Sequence, residues 1–197
     1  MIKTADKDYV SYLRYESGEF DRDKISTDLS LEKVFDNKPD KAWWGSPIDA
    51  NFGWKEWCEK NHEESVNLDN PIKWKFEDNC KIITLNYDEL VLEKDNLLLE
   101  YIIIKRKIYS LGRLDIIVDA TAEEKIDIIK KKSSLYHVEC QLNYEKLLQD
   151  GIVGVEILYR PDKHTNKLER AFTSWLCESI IVLDDKKIVF EKENSGD

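Results

Sequence analysis

Short stretches in which apolar and polar residues alternate recur along the whole chain. A period of two is typical of β-strands, because successive side chains of a strand point to opposite faces of a sheet. This alternation, or a short apolar run bounded by turn residues, predicts strands at residues 9–15, 42–46, 72–76, 81–86, 113–119, 136–142, 153–159, 178–183 and 186–190. The chain is therefore expected to be rich in short strands.

Helical spacing is confined to short segments between these strands. The predicted helices are residues 30–35, about 47–60, 121–132, 144–149 and 167–175. Pro47 is expected to open the second helix, because proline is favoured at the first helical position. The third helix begins with acids and ends with lysines, as the helix dipole prefers. The apolar residues 97–104 fit either a helix or a buried strand, and both alternatives stay open.

The order of these elements favours the α+β class. Strands and helices are interleaved without the regular alternation of a doubly wound parallel sheet. We therefore expect a mixed, mainly antiparallel sheet with short helices. A length of 197 residues fits a single domain over residues 1–197, with room for an insertion around residues 95–135.

Charge and hydropathy narrow the classes of function. The chain has 40 acidic and 30 basic side chains, a formal net charge of −10. This sign repels phosphate backbones, so direct nucleic-acid binding is not expected; it favours a basic protein partner and equally serves solubility. No apolar run approaches the roughly 20 residues that cross a bilayer, and residues 1–8 lack a leader-like apolar stretch. We expect a cytoplasmic protein that does not contact a membrane.

The cysteines do not indicate a metal site or a secreted scaffold. They are Cys58, Cys80, Cys140 and Cys177, widely spaced and without a CxxC pair. Four cysteines allow two disulfides, but reduced buried thiols are expected where no secretion signal is seen. Cys58 and His62 would share one face of a helix, yet two ligands do not make a zinc site, and no metal is predicted.

Candidate chemistry is found in three segments, since no GxGxxG, P-loop, HExxH or GxSxG motif occurs. The first segment is an aromatic strand that ends at Arg14. The second is the tryptophan-rich stretch 42–57, AWWGSPIDANFGWKEW. The third starts at Glu178, directly before an apolar strand, and continues through a turn into the final strand.

This order resembles the three-part signature of the ADP-ribosyltransferase superfamily. The chain also resembles small phage and bacterial members with a tryptophan-rich second motif, and residues 44–58 and 175–183 carry this likeness. The resemblance implies NAD binding and a split sheet of the ADP-ribosyltransferase type. The family's Ser-Thr-Ser run is missing, and Leu176 stands two positions before Glu178 where arginine-specific members have a second glutamate. Arginine is therefore not implied as the acceptor.

The resemblance also assigns roles to individual residues. Glu178 would be the catalytic acid, with its carboxylate stabilising the oxocarbenium-like charge that develops as nicotinamide leaves. Ser46 would be the hydroxyl of the second motif, and Phe52 or Trp54 the aromatic platform. The planar guanidinium of Arg14 would hold the NAD phosphates or ribose. The full NAD-binding set expected is Arg14, Trp44, Ser46, Phe52 and Trp54.

Two functions remain open. One is an NAD-dependent mono-ADP-ribosyltransferase that modifies a macromolecular target, for instance a phage protein acting on a host system. In that case Arg14, Ser46 and Glu178 should converge on one cleft, and Glu156 is the main rival for the catalytic role. The alternative is a non-catalytic acidic binding protein or inhibitor of the phage anti-defence type, which occupies a basic surface of a partner protein. The missing Ser-Thr-Ser and Glu-x-Glu patterns favour this alternative.

Overall fold

A computed structural model describes residues 2–4, 11–16, 21, 42–86, 93, 96–131, 135–158, 175 and 177–191. Its strands and helices are β1 Ile2–Thr4, β2 Tyr12–Arg14, β3 Trp44–Pro47, α1 Trp54–Asn61, β4 Ile72–Phe76, β5 Lys81–Asn86, β6 Ile102–Ile108, β7 Arg113–Ile117, α2 Ala122–Lys130, β8 Tyr136–Leu142, α3 Tyr144–Gln149, β9 Ile152–Leu158, β10 Ser179–Val182 and β11 Ile188–Phe190. Short 3-10 turns lie at Leu97–Tyr101, Tyr109–Leu111 and Asp185–Lys187. The predicted helix 30–35 and all but the last residue of the predicted helix 167–175 lie outside the described residues.

Two sheets form the framework. The larger has eight strands in the order β1-β5-β9-β10-β3-β2-β4-β11, and the smaller has the order β7-β6-β8. Only the β5–β9 pair is parallel among the described strands. The α+β class with a mixed, mainly antiparallel sheet and short helices is therefore confirmed.

The central strand β10 shows how the large sheet builds two cores. Its residues from Ser179 to Val182 are all buried, as expected for a strand covered on both faces. Ile180 and Val182 join an aromatic cluster with Tyr12 and Trp74 on one face. Ile181 packs on the other face, against the cluster that includes the apolar residues of β6 and α3. We call these faces the aromatic face and the aliphatic face.

The segment 95–135 contributes to this second core. The side chain of Asn96 accepts a hydrogen bond from the Leu98 N–H, which starts the 3-10 turn Leu97–Tyr101. The β-branched run Ile102-Ile103-Ile104 then continues as β6, since such residues favour strands. Residues 97–101 thus form a short 3-10 turn and residues 102–104 begin a buried strand, so the helix and strand alternatives each hold for part of the segment.

The helix predicted from Pro47 begins later than expected. Pro47 is the last residue of β3 and lies opposite Tyr12 in β2, and α1 starts only at Trp54. Proline fits the first turn of a helix, but it fits the end of a strand equally well where no ladder donor is needed. Glu56 accepts from the Gly53 N–H at 2.8 Å, so the helix is capped six residues after Pro47.

The remaining helices agree with their patterns. Thr121 caps α2, and Glu124 accepts from the Thr121 N–H at 2.8 Å, which completes a capping box. The longest described helix, Ala122–Lys130, has nine residues. No helix within the described ranges is long and apolar enough to cross a membrane.

The four cysteines are buried thiols, and none is in a disulfide. Cys58 lies on α1, and burial raises the pKa of its thiol, an effect that the nearby carboxylates of Glu63 and Glu59 increase. A raised pKa keeps a thiol protonated and unreactive. The expectation of reduced, buried thiols agrees with this geometry.

Candidate functional site

The three strands associated with the predicted site residues are consecutive neighbours in the large sheet. β10, which follows Glu178, pairs with β3, and β3 pairs with β2. Residues far apart in the sequence are thereby brought onto adjacent strands. Alternation along each strand then decides which side chains share a face.

A single turn, residues 51–54, connects Glu178 with Ser46. The Glu178 N–H donates to the Phe52 carbonyl at 2.9 Å, and the Asn51 N–H donates to Glu178 Oε2 at 3.2 Å. At the other end of the turn, the Trp54 N–H donates to Ser46 Oγ at 2.8 Å. The catalytic acid and the hydroxyl expected from the sequence are therefore held by the same four residues.

Glycine is required where this turn approaches β3. A Cβ on Gly53 would lie 3.0 Å from Ser46 Cβ and 3.2 Å from Ala50 Cβ. Such contacts are tighter than a well-packed structure tolerates without movement. Gly53 thus allows the turn to lie directly on Ser46.

The carboxyl group of Glu178 is largely removed from solvent. The residue is 5% exposed. Burial raises its pKa, hydrogen bonds from the main chain and side chain of Asn51 and from the Phe52 main chain partly oppose this rise, and the charge of Asp49 adds to it. A carboxyl with a raised pKa near a turn is a candidate for acid–base or electrostatic chemistry.

The aromatic residues expected at an NAD pocket are each partly buried, and two of them, Phe52 and Trp54, belong to this turn. Trp54 stacks on Trp57 with ring centroids 4.8 Å apart and planes 8° from parallel. The Lys60 ammonium lies 5.3 Å from the centre of the Phe52 ring. Trp44 packs edge-on against Trp175 at 4.7 Å, on the aliphatic face.

Arg14 does not join this group. Leu13 lies opposite Ser46 in the β2–β3 pair, so the next residue, Arg14, points to the other face of the sheet. Its guanidinium carbon lies 4.2 Å from the centre of the Trp43 ring, and its Nε is 2.5 Å from Glu16 Oε1. The predicted convergence of Arg14, Ser46 and Glu178 on one cleft is therefore incomplete, because a one-residue step along a strand reverses the face.

Glu156, the rival acid, lies on the aromatic face. It is 4% exposed and accepts hydrogen bonds from the Tyr12 hydroxyl at 3.1 Å and the Thr84 hydroxyl at 2.8 Å. Tyr12 in turn stacks on Trp74, with ring centroids 4.8 Å apart. Glu156 is thus fixed by side-chain donors inside the aromatic cluster, on the opposite side of the sheet from Ser46.

Asn51 is a site residue that the sequence reasoning missed. Its main chain binds the Glu178 carboxylate, and its side chain contributes to the lowering of that pKa. The Asp-Ala-Asn-Phe-Gly run at residues 49–53 is rich in turn-forming residues and was the available signal. Pro47 competes with this signal, because proline favours a helix start and so places the same residues in a predicted helix.

The pairing of Cys58 with His62 provides no metal site. Cys58 is buried, while His62 is exposed and ends α1 with a left-handed backbone, φ 55°. No cluster of three or more histidine, cysteine, aspartate or glutamate side chains that could hold a metal occurs among the residues that the structure describes.

Comparisons with protein-family models, curated proteins and solved structures found no match to this chain. The residues Ser46 and Glu178 and the geometry of the 51–54 turn are therefore the basis for a functional proposal.

Proposed function

We propose that this protein is an NAD-dependent mono-ADP-ribosyltransferase whose catalytic carboxylate is Glu178. One observation carries the proposal: a buried carboxyl with a raised pKa and the hydroxyl of Ser46 are bound by the same turn, residues 51–54. This turn also carries Phe52 and Trp54, two aromatic side chains suited to stack on a nicotinamide ring. The adjacency of β10, β3 and β2 further supports a sheet of the ADP-ribosyltransferase type.

The reaction defines what Glu178 must do. The bond between the ribose C1′ and the nicotinamide nitrogen breaks, and its electron pair leaves with nicotinamide. A nucleophilic atom of the acceptor forms the new bond at C1′ and releases its proton. Positive charge accumulates on the ribose in between, and an ionised carboxylate fixed close by lowers the energy of that state. Glu178 can act in this way only above its raised pKa.

NAD is a substrate in this scheme, and the residues of the turn fit one end of it. Phe52 and Trp54 offer partly buried aromatic surface beside a carboxyl and a hydroxyl. Arg14 does not fit the phosphate-binding role that the resemblance assigns to it, because it lies across the sheet and is engaged by Glu16 and Trp43. The proposal therefore retains Glu178, Ser46, Trp44, Phe52 and Trp54 and omits Arg14.

The acceptor is proposed to be a protein. A net charge of −10 attracts basic surfaces and repels nucleic acids. This charge would speed the encounter with a basic target without selecting the atom that is modified.

The test is transfer of ADP-ribose from NAD labelled in its adenosine moiety to protein in a bacterial lysate. The Glu178→Gln variant keeps the shape of the side chain and removes its charge, so turnover should fall about 10²–10³-fold. Glu156→Gln is the matched control, because it makes the same chemical change in a carboxyl that is equally buried but accepts hydrogen bonds from Tyr12 and Thr84 and not from the 51–54 turn. Folded Glu156→Gln should keep most of the activity.

Two results would contradict the assignment. Equal labelling by the parent and Glu178→Gln would remove Glu178 from the chemistry. Loss of labelling in a folded Glu156→Gln, with Glu178→Gln active, would place the reaction at Glu156 instead.

A non-catalytic acidic binding protein is the second candidate, and the separation of Arg14 from Ser46 favours it. In this case a basic protein would be captured equally by the parent and by Glu178→Gln. No labelled ADP-ribose would be transferred and no nicotinamide released by either.

A further inference from the structure

Strand β7 and Val118, which follows its last residue Ile117, expose an apolar stripe at the edge of the small sheet. Leu114, Ile116 and Val118 alternate along the chain and are 54%, 49% and 38% exposed. Residues i, i+2 and i+4 of an extended chain share one face, so the three side chains form a continuous row. This row lies on the face opposite to Arg113 and Asp115.

The outer edge of β7 has no strand beside it in the described part of the chain. β7 pairs with β6, and β6 pairs with β8 on its other side. An exposed edge strand presents main-chain donors and acceptors that can pair with another chain, and natural proteins commonly block it with lysine, proline or a bulge. β7 has no lysine, proline or register shift.

We propose that β7 pairs with β7 of a second copy of this chain, antiparallel and centred on Ile116. A two-fold axis through Ile116 places each Ile116 opposite its counterpart, and Leu114 opposite Val118 of the second copy. The same register places Arg113 opposite Asp119 of the second copy, twice. Every exposed apolar side chain of the stripe is then covered by an apolar partner, and the interface is self-complementary.

Charge excludes one neighbouring register, and backbone conformation excludes the other. Centring on Asp115 would place two carboxylates directly opposite each other, which destabilises a strand pair. Centring on Leu114 would place Ile116 opposite Gly112, whose φ of +57° is not extended. Of these three registers, only the one centred on Ile116 meets both conditions. It places opposite charges across from each other, and it keeps all three apolar residues opposite apolar partners.

The charged partners are accessible for this pairing. Arg113 is bound by Asp115 within the chain, with Nε 2.6 Å from Oδ1, yet its side chain is 69% exposed. Asp119 is also exposed. The adjacent strand β6 carries Lys105, Arg106 and Lys107, which offset the net negative charge of the chain near the proposed axis.

The experiment is sedimentation of the full chain over a concentration series. The interface is one strand pair, so we expect a reversible monomer–dimer equilibrium rather than a permanent dimer. Ile116→Lys should leave the fold unchanged, because Ile116 is half exposed, and should make the chain monomeric at every concentration. Val189→Lys is the matched control, since Val189 is an exposed apolar residue of β11, an edge strand of the large sheet.

The charge pair supplies a test that a general effect on solubility would not pass. Arg113→Asp and Asp119→Arg should each weaken the dimer at least tenfold, because each places like charges opposite each other twice. The double variant restores opposite charges in the same register, and the dimer should recover. A chain that stays monomeric up to about 1 mM would overturn the proposal, since a dissociation constant above this value corresponds to less than about 4 kcal/mol of binding free energy. Dissociation by Val189→Lys but not by Ile116→Lys, or no rescue in the double variant, would also overturn it.

Discussion

Two carboxyl groups in the large sheet are equally buried but are held in different ways. Glu156 and Glu178 are 4% and 5% exposed. Glu156 accepts from two side-chain hydroxyls, those of Tyr12 and Thr84, which are themselves fixed in buried strands. Glu178 is held mainly by the main chain and side chain of Asn51, in a turn beside the start of β10.

Under the proposed function, this difference separates a structural acid, Glu156, from a catalytic one, Glu178. Buried polar groups are normally hydrogen-bonded, so burial alone does not indicate a function. The donors of Glu156 come from buried residues of two strands, and its removal would take away the hydrogen bond that each of them makes to the carboxylate. Glu178 lies where a turn meets a strand, and partly buried aromatic residues flank it. Substitutions at the two positions should therefore have opposite consequences for stability and for activity.

The largest stability effect is expected from Glu156→Ala. This change removes the acceptor of the hydrogen bonds from the Tyr12 and Thr84 hydroxyls and opens a cavity, so the free energy of unfolding should fall by about 2–4 kcal/mol. Urea unfolding at neutral pH measures it. Tyr12→Phe is the matched control, because it removes one of the two donors while the ring can still stack on Trp74, and about 1–2 kcal/mol is expected.

Additivity sharpens this side of the comparison. If Glu156 couples β9 to β2 through Tyr12, the double variant Tyr12→Phe/Glu156→Ala should lose less free energy of unfolding than the sum of the losses in the two single variants. Simple addition of the two losses would show that Tyr12 and Glu156 act separately, and the structural role given to Glu156 would be wrong.

A smaller effect is expected from Ser46→Ala in the turn. The Trp54 N–H is the first of α1 and loses its acceptor, as at an N-cap, so the free energy of unfolding should fall by about 1 kcal/mol. Ser179→Ala provides a control on the neighbouring strand, because the Ser179 hydroxyl donates to the Cys177 carbonyl and not to the turn. Activity should fall in Ser46→Ala and stay unchanged in Ser179→Ala, as measured by nicotinamide release.

The smallest effect concerns pH. Burial is the main reason that the pKa of Glu178 is raised in the folded state. A raised carboxyl pKa contributes stability that is fully present below the unfolded value, about 4.3, and is lost as pH rises through the folded value. Glu178→Gln should therefore be more stable than the parent at neutral pH, and this difference should disappear below about pH 4.

Activity should increase with pH over the range in which the stability contribution of Glu178 decreases. Only ionised Glu178 stabilises the developing positive charge, so nicotinamide release should increase as pH rises through its folded pKa. A stability difference that grows toward low pH would contradict the assigned direction. A rate that decreases over the same pH range would contradict the role of Glu178 as a carboxylate.

Sequence patterns predicted much of the framework because local chemistry specified it. The strands 72–76, 81–86 and 136–142 and the helix 144–149 agree with the structure at both ends. Each combines clear periodicity with turn or cap residues at its limits, such as Asn143, whose side chain caps α3. The prediction of a helix from Pro47 is wrong for residues 47–53, because proline is compatible with both a strand end and a helix start.

The sequence by itself determined the α+β class, most strand positions, and the presence of Glu178 directly before an apolar strand. Only the tertiary structure decided which of the singled-out residues meet. Alternation along β2 directs Arg14 away from Ser46, and the pairing of β10 with β3 brings Glu178 to the turn that binds Ser46. A local sequence pattern shows that side chains alternate along a strand. Which of these side chains share a face with another residue depends on the register with strands from distant parts of the chain.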